Sequence, residues 1–223
     1  MLKRTVWMVT VAALSGAPAA LAQEPRAEAG ITLGWTFADG VEGQDVRALD
    51  GNVYNRIDPQ DSFKWGLYGG ALIGPNAEVG FMFSQQPTKL EAGGTATREI
   101  GDMKVSNYHV YFGYNFLDPE ERVRPYFFGG LGATSFGSVD YTRLGGETGT
   151  IGGETQFSTT WGAGVKVFPN PKFGIRVGAQ WTPVYIKSDS AGWWCDPWWG
   201  CYVVGDAKYA SQFDFTGGVS FRF

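Results

Sequence analysis

Histidine occurs once in this 223-residue chain, at His109, and cysteine only twice, at Cys195 and Cys201. One histidine and two cysteines cannot furnish the four nitrogen or sulfur ligands of a structural zinc site, and only scattered carboxylates are left for harder cations. No metal and no cofactor is expected. Methionine is scarce, with 4 residues, and beyond the N-terminal segment every apolar run is broken by glycine or polar residues before it could span a bilayer as a helix. Basic residues do not dominate either: 18 Lys and Arg stand against 22 Asp and Glu, which does not suit a nucleic-acid binder.

Glycine and aromatics are abundant instead, with 33 Gly, 16 Phe, 10 Tyr and 9 Trp. That combination favours strands and tight turns over helices. The chain begins MLKRTVWMVTVAALSGAPAALAQ, in which Lys3 and Arg4 precede an apolar run and the small-residue site Ala20-Leu21-Ala22. This pattern predicts a Sec-type signal peptide over residues 1–22 and a mature domain over residues 23–223. Loss of Lys3 and Arg4 would make the mature chain more acidic still.

The segment FDFTGGVSFRF, residues 213–223, sets Phe213, Phe215, Gly217, Val219, Phe221 and Phe223 on one face of a strand and Asp214, Thr216, Gly218, Ser220 and Arg222 on the other. The same two-faced alternation recurs in GITLGWTF, FKWGLYGGALI, AEVGFMFS, NYHVYFGYNF, VRPYFFGGLGA, FSTTWGAGVKV and FGIRVGAQWTPVY, which with the last segment makes eight strands. Long connections, at about residues 38–61, 85–104, 135–156 and 187–208, alternate with short ones at 74–76, 117–122 and 169–171. Strict alternation places the long links at one end of a closed up-and-down sheet.

The charges decide which face meets what. Lys64, Glu78, Arg124, Lys166, Arg176, Asp214 and Arg222 share a face with many glycines, while the opposite face carries none of these charges. A narrow lumen needs small residues beside long ones, and an eight-stranded barrel is just wide enough to be filled by side chains. Aromatic residues gather toward both ends of the apolar face, as the girdles of membrane barrels do. The fold class predicted is all-β: an eight-stranded antiparallel transmembrane barrel with four long external loops, short periplasmic turns and both termini periplasmic. In its lumen Glu78 is expected to be shared by Arg124, Lys166, Arg176 and Arg222, plugging the periplasmic half.

On these features the chain resembles the small bacterial outer-membrane β-barrels, the group that includes the outer-membrane protein A barrel domain and the OmpX-like and OmpW-like proteins. The resemblance implies a location in the bacterial outer membrane and surroundings of membrane lipid and lipopolysaccharide. It also implies that Phe215, Phe221 and Phe223 are read by the barrel-assembly machinery during insertion. Such motifs specify architecture well and activity hardly at all. A structural or loop-mediated role without catalysis is the leading expectation, and a lipid-modifying membrane enzyme or a narrow solute channel are the alternatives.

The candidate chemistry is sparse. His109 shares the polar face with Asn107 and Tyr111, and no Ser-x-His or His-x-Ser arrangement accompanies it, so a lumen histidine is expected rather than a base. Asp39, Asp45, Asp50, Asp58 and Asp61 in the first long link read as a solvated acidic loop. Gly129–Gly132 lies within a strand pattern and lacks the lysine of a phosphate loop. The segment WWCDPWWGCY, residues 193–202, is the most unusual: in an exported chain Cys195 and Cys201 predict a disulfide worth about 2 kcal/mol. Trp193, Trp194, Trp198 and Trp199 then form either a contact surface for an external ligand, whose identity the sequence does not name, or a cap packed on the barrel mouth.

Overall fold

The computed structural model describes residues 26–47, 52–142, 148–186, 195–196, 200–201 and 209–223. Eight strands form the barrel: β1 (Ala27–Asp39), β4 (Ser62–Ile73), β5 (Ala77–Gly94), β6 (Arg98–Asn115), β7 (Val123–Phe136), β10 (Glu154–Asn170), β11 (Phe173–Tyr185) and β14 (Tyr209–Arg222). Each pairs antiparallel with the next, and β14 returns to β1 from Glu28↔Arg222 to Asp39↔Ser211. Closure leaves no open edge among these strands, and that is the condition for a sheet to cross hydrocarbon. The predicted signal peptide lies outside the described residues.

The two faces fall where the alternation places them. Leu33, Val110, Leu131, Val177 and Phe215 point outward and are more than half exposed. Lys64, Glu78, Arg124, Lys166 and Asp214 point into the lumen and are at most 3% exposed. Along the outer wall the register brings Trp35 beside Phe63, Phe83 beside Tyr108 and Trp161 beside Trp181, in a belt toward the external end. Phe173 lies beside Phe221 toward the other end, their rings 5.6 Å apart. The turn between β4 and β5 is tight enough that Gly74 adopts a φ of 71°, a left-handed conformation that costs glycine nothing.

The long links are not simple loops. In the first, β2 (Val41–Arg47) and β3 (Val53–Pro59) form a hairpin, and β3 pairs in turn with the distal part of β5. The second is strand almost throughout, because β5 and β6 stay paired as far as Ala92↔Arg98. The third holds a hairpin of β8 (Val139–Thr142) and β9 (Thr148–Ile151). In the fourth, β12 (Cys195–Asp196) pairs with β13 (Gly200–Cys201), with Cys195 opposite Cys201.

Polarity inverts along these extended strands. In the membrane-spanning part the lumen side is polar and the outer side apolar. Farther out, the inward positions Leu90, Met103, Val105, Phe136, Val139, Val184 and Ala210 form a buried apolar cluster. The outward positions there include Lys89, Glu99, Asp102 and Lys104. A strand that leaves lipid for water keeps its period of two but exchanges which face must be oily. The external extension therefore carries a small hydrophobic core of its own above the barrel mouth.

Candidate functional site: a sealed lumen under an apolar cap

The lumen is built in layers. At the periplasmic end Lys166 is the hub: its Nζ lies 2.7 Å from Glu28 Oε1 and 2.8 Å from Glu78 Oε2. Arg222 Nε reaches Glu28 Oε2 at 3.2 Å, and its guanidinium lies over the Phe168 ring. Tyr111 donates its hydroxyl hydrogen bond to Glu78, and Tyr68 donates to Glu28 at 3.2 Å. Two carboxylates facing one ammonium, with tyrosine hydroxyls on their remaining lone pairs, make a buried network in which the carboxylates are paired while Arg222 Nη2 has no hydrogen-bond partner.

This corrects the network expected from sequence in three respects. Glu28 joins Glu78 as a second carboxylate. Arg124 turns away to the adjoining turns, where it donates to the Leu117 and Pro75 carbonyls at 2.9 Å. Arg176 donates from Nε to the Tyr126 hydroxyl at 2.8 Å, and its guanidinium lies 4.3 Å from the centre of the Tyr126 ring and 4.6 Å from that of Tyr68. Cation–π contact and a hydroxyl acceptor take the place of a carboxylate there. Of the four cations expected around Glu78, only Lys166 bridges to it among the described ion pairs.

Above this layer aromatic rings fill the middle of the lumen. Tyr126 and Phe128 stack at 6.2 Å, and Tyr111 meets Phe128 edge-on at 5.9 Å. Glycines open the space they occupy: a Cβ on Gly164 would lie 2.6 Å from the Tyr126 hydroxyl, and one on Gly162 would lie 2.4 Å from the Phe128 ring. The void beside Tyr68, Met82 and Arg176 measures about 30 Å³, and another beside Glu78 and Tyr111 about 10 Å³. Each has room for a water molecule or so, and neither is a path.

The next layer is polar. Lys64 pairs with Asp214 at 2.6 Å, and Asp214 also accepts from Thr36 at 2.6 Å. His109 Nε2 lies 2.9 Å from Ser158 Oγ, and a chain of hydrogen bonds runs on through Thr134 and Asn107 to Gln212. Sequence proximity could not reveal this serine, because it stands on another strand 49 residues away. The pair is nearly inaccessible, with His109 1% and Ser158 0% exposed, and it faces the lumen rather than lipid. His109 Nδ1 has no hydrogen-bond partner, so no carboxylate orients the ring as in a catalytic triad.

The other sequence-predicted positions are dispersed. Phe215, Phe221 and Phe223 all face outward. In the external hairpin Arg56 holds Asp39 at 2.9 Å and Asp58 at 2.7 Å, so the acidic link is partly paired rather than simply solvated. Burial nonetheless keeps the Asp58 carboxyl above the usual carboxylate range. Among the described residues no cluster of His, Cys, Asp and Glu is arranged to hold a metal ion. Trp193, Trp194, Trp198 and Trp199 lie outside the described residues.

The family described as the outer membrane protein beta-barrel domain matches residues 8–223. Among solved structures, Neisserial surface protein A superposes with a TM-score of 0.53 at 15% identity, covering 90% of this chain and 98% of that one. Outer membrane protein AlkL, solved in lipid bilayers, gives 0.54 at 13% identity over 94% and 96% of the two chains. OprG from Pseudomonas aeruginosa gives 0.50 at 13% identity over 90% and 97%. At these identities the likeness is one of fold. No curated protein matches the chain in sequence.

Proposed function

The chain belongs to the outer membrane protein β-barrel domain family, and within it we propose a non-conducting, non-enzymatic membrane protein that serves as a rigid base for an external interaction surface. The observation that carries this reading is the filled lumen, in which Lys166, Glu28 and Glu78 interlock below stacked rings and the apolar cluster lies above. A solute would have to break buried ion pairs and pass the cluster formed by Leu90, Met103, Val105 and Phe136. The enzymatic alternative needs a nucleophile and base open to lipid, and the His109–Ser158 pair supports it poorly because it is enclosed. Planar bilayers containing the refolded protein test the channel alternative directly: no stable conductance is expected in neutral salt, and reproducible unitary steps would overturn the reading.

The fourth external link is part of the proposed surface. Cys195 and Cys201 stand opposite one another in the β12–β13 ladder, and antiparallel partners have Cα separations of about 4.5 to 5.5 Å, within the range a disulfide spans. We therefore carry the bridge forward as part of the proposal. Exchanging both cysteines for serine should leave the heat-modifiable folded band intact while new protease cuts appear in residues 187–208, since the barrel strands hold their own hydrogen-bonded ring. Two alkylatable thiols in the mature protein would refute the bridge, and loss of the folded band would refute its local role. Recognition of Phe215, Phe221 and Phe223 by the assembly machinery and cleavage after residue 22 belong to the same proposal.

A further inference from the structure

The buried charges of the lumen do not balance. Lys166 and Arg222 stand with Glu28 and Glu78, and Lys64 stands with Asp214. Two cations are left over, Arg124 and Arg176, and both are buried. Arg124 lies at the periplasmic turns, where the Leu117 and Pro75 carbonyls take its hydrogen bonds. Arg176 lies deeper, and its neighbours across the two ladders are Lys166, a second cation, and Gly218, which has no side chain. No carboxylate pairs with Arg176 among the described ion pairs; the Tyr126 hydroxyl and the faces of Tyr68, Tyr126 and Phe128 meet it instead. An unpaired charge in a low-dielectric interior is costly, and ring faces offset only part of that cost.

The void of about 30 Å³ borders this side chain. Thr32, Ser84, Gln180 and Thr216 also line it, bringing hydroxyl and amide donors, and no carboxylate does. All four stand on the lumen face and are only partly buried, whereas Thr36, Thr134, Ser158 and Thr160 elsewhere on that face are fully buried. Donor capacity remains among them. Ser84 Oγ accepts from Asn107 Nδ2 at 3.4 Å, which leaves its own hydrogen, and Gln180 commits one of two amide hydrogens to Thr182 at 3.2 Å. The smaller void, of about 10 Å³, differs in kind, because Glu78 lines it and would repel an anion.

We propose that the void beside Arg176 binds one small monovalent inorganic anion, a halide such as chloride, which supplies this arginine with its counter-charge. A halide is little larger than a water molecule and is satisfied by N–H and O–H donors, the groups gathered here. Water would leave the charge uncompensated, and phosphate or sulfate is too large for the space. The ion is structural, captured as the strands close around it. The assignment goes beyond the proposed function and does not rest on it, since the arginine needs a counter-charge whether or not the barrel conducts.

The test follows urea unfolding of the full mature protein in lipid vesicles at constant ionic strength, with chloride exchanged for gluconate, which is too large for the void. The unfolded chain has no such site, so each tenfold rise in free chloride above the dissociation constant should raise the folding constant about tenfold, the linkage for one ion taken up. Bromide should act as chloride does. A folding constant indifferent to halide from the millimolar to the molar range would overturn the proposal and make water the occupant. Gln180→Glu places a carboxylate against the same void, and it should abolish the halide dependence while folding at least as well as the unaltered protein in gluconate. Arg176→Met should abolish the dependence too. Dependence that survives in either variant would put the halide elsewhere and overturn the site. Crystals of the unaltered protein grown in bromide locate the ion without any variant: an anomalous peak is expected beside the Arg176 guanidinium, and no peak there would overturn the assignment. Bilayer conductance, which tests the proposed function, is independent of all of these outcomes.

Discussion

Lys166→Met is expected to cost about 3–5 kcal/mol of barrel stability, the usual penalty for removing one partner from a buried ion pair. The substitution preserves bulk but leaves Glu28 and Glu78, at 1% and 2% exposure, facing each other across the lumen without the cation between them. Arg222 still reaches Glu28, so that carboxylate keeps partial compensation. Glu78 retains only the Tyr111 hydroxyl among its described side-chain contacts. Glu78→Gln should cost less in the same experiment, because Lys166 keeps Glu28 and the new amide oxygen can still accept from Tyr111. Urea unfolding in lipid vesicles, followed by loss of the heat-modifiable band, measures both. An unchanged midpoint for Lys166→Met, or a larger loss for Glu78→Gln than for Lys166→Met, would show that the network is not centred on the lysine.

That ordering also marks what the sequence could and could not reveal. All eight barrel strands, and the side of each that turns outward, follow from the period of two, because each residue in the bilayer has only two choices of surroundings. Glu28 is not legible from the pattern because the first clear alternating segment begins at Gly30, whereas β1 begins at Ala27, and its first residues already carry a lumen carboxylate. Arg124 and Arg176 lie on the lumen face as expected, but position on a face does not determine a partner. Turn carbonyls and tyrosine rings compete with carboxylates for a guanidinium, and only the three-dimensional register decides among them. The external hairpins are hidden in the sequence for a different reason. Beyond the membrane Leu90, Met103 and Val105 turn inward, opposite to the rule that holds below, so a reader following one polarity meets an apparent break where the strand in fact continues.

The register also explains the glycines, and the second large effect follows from them. Gly164→Leu should prevent accumulation of the folded barrel or reduce its stability by at least about 3 kcal/mol, the upper part of the range for overpacking. Gly164 pairs with Gly178 on β11 and with Tyr126 on β7, so the Tyr126 hydroxyl projects over both glycines. A Cβ at position 164 would stand 2.1 Å from the Val177 carbonyl oxygen as well as 2.6 Å from the Tyr126 hydroxyl. The tyrosine cannot swing clear at no cost, because its hydroxyl accepts from Arg176 and its ring stacks on that guanidinium and beside Phe128. Combining Gly164→Leu with Tyr126→Ala separates the two obstacles. Removing the ring relieves the side-chain clash but leaves the backbone contact with Val177, so the double variant should recover only part of the loss. Full recovery would assign the glycine to the tyrosine alone. Normal folding of the single variant would show that β10 and β11 can part without penalty, contrary to a lumen wall set by the fit of these rings against bare backbone.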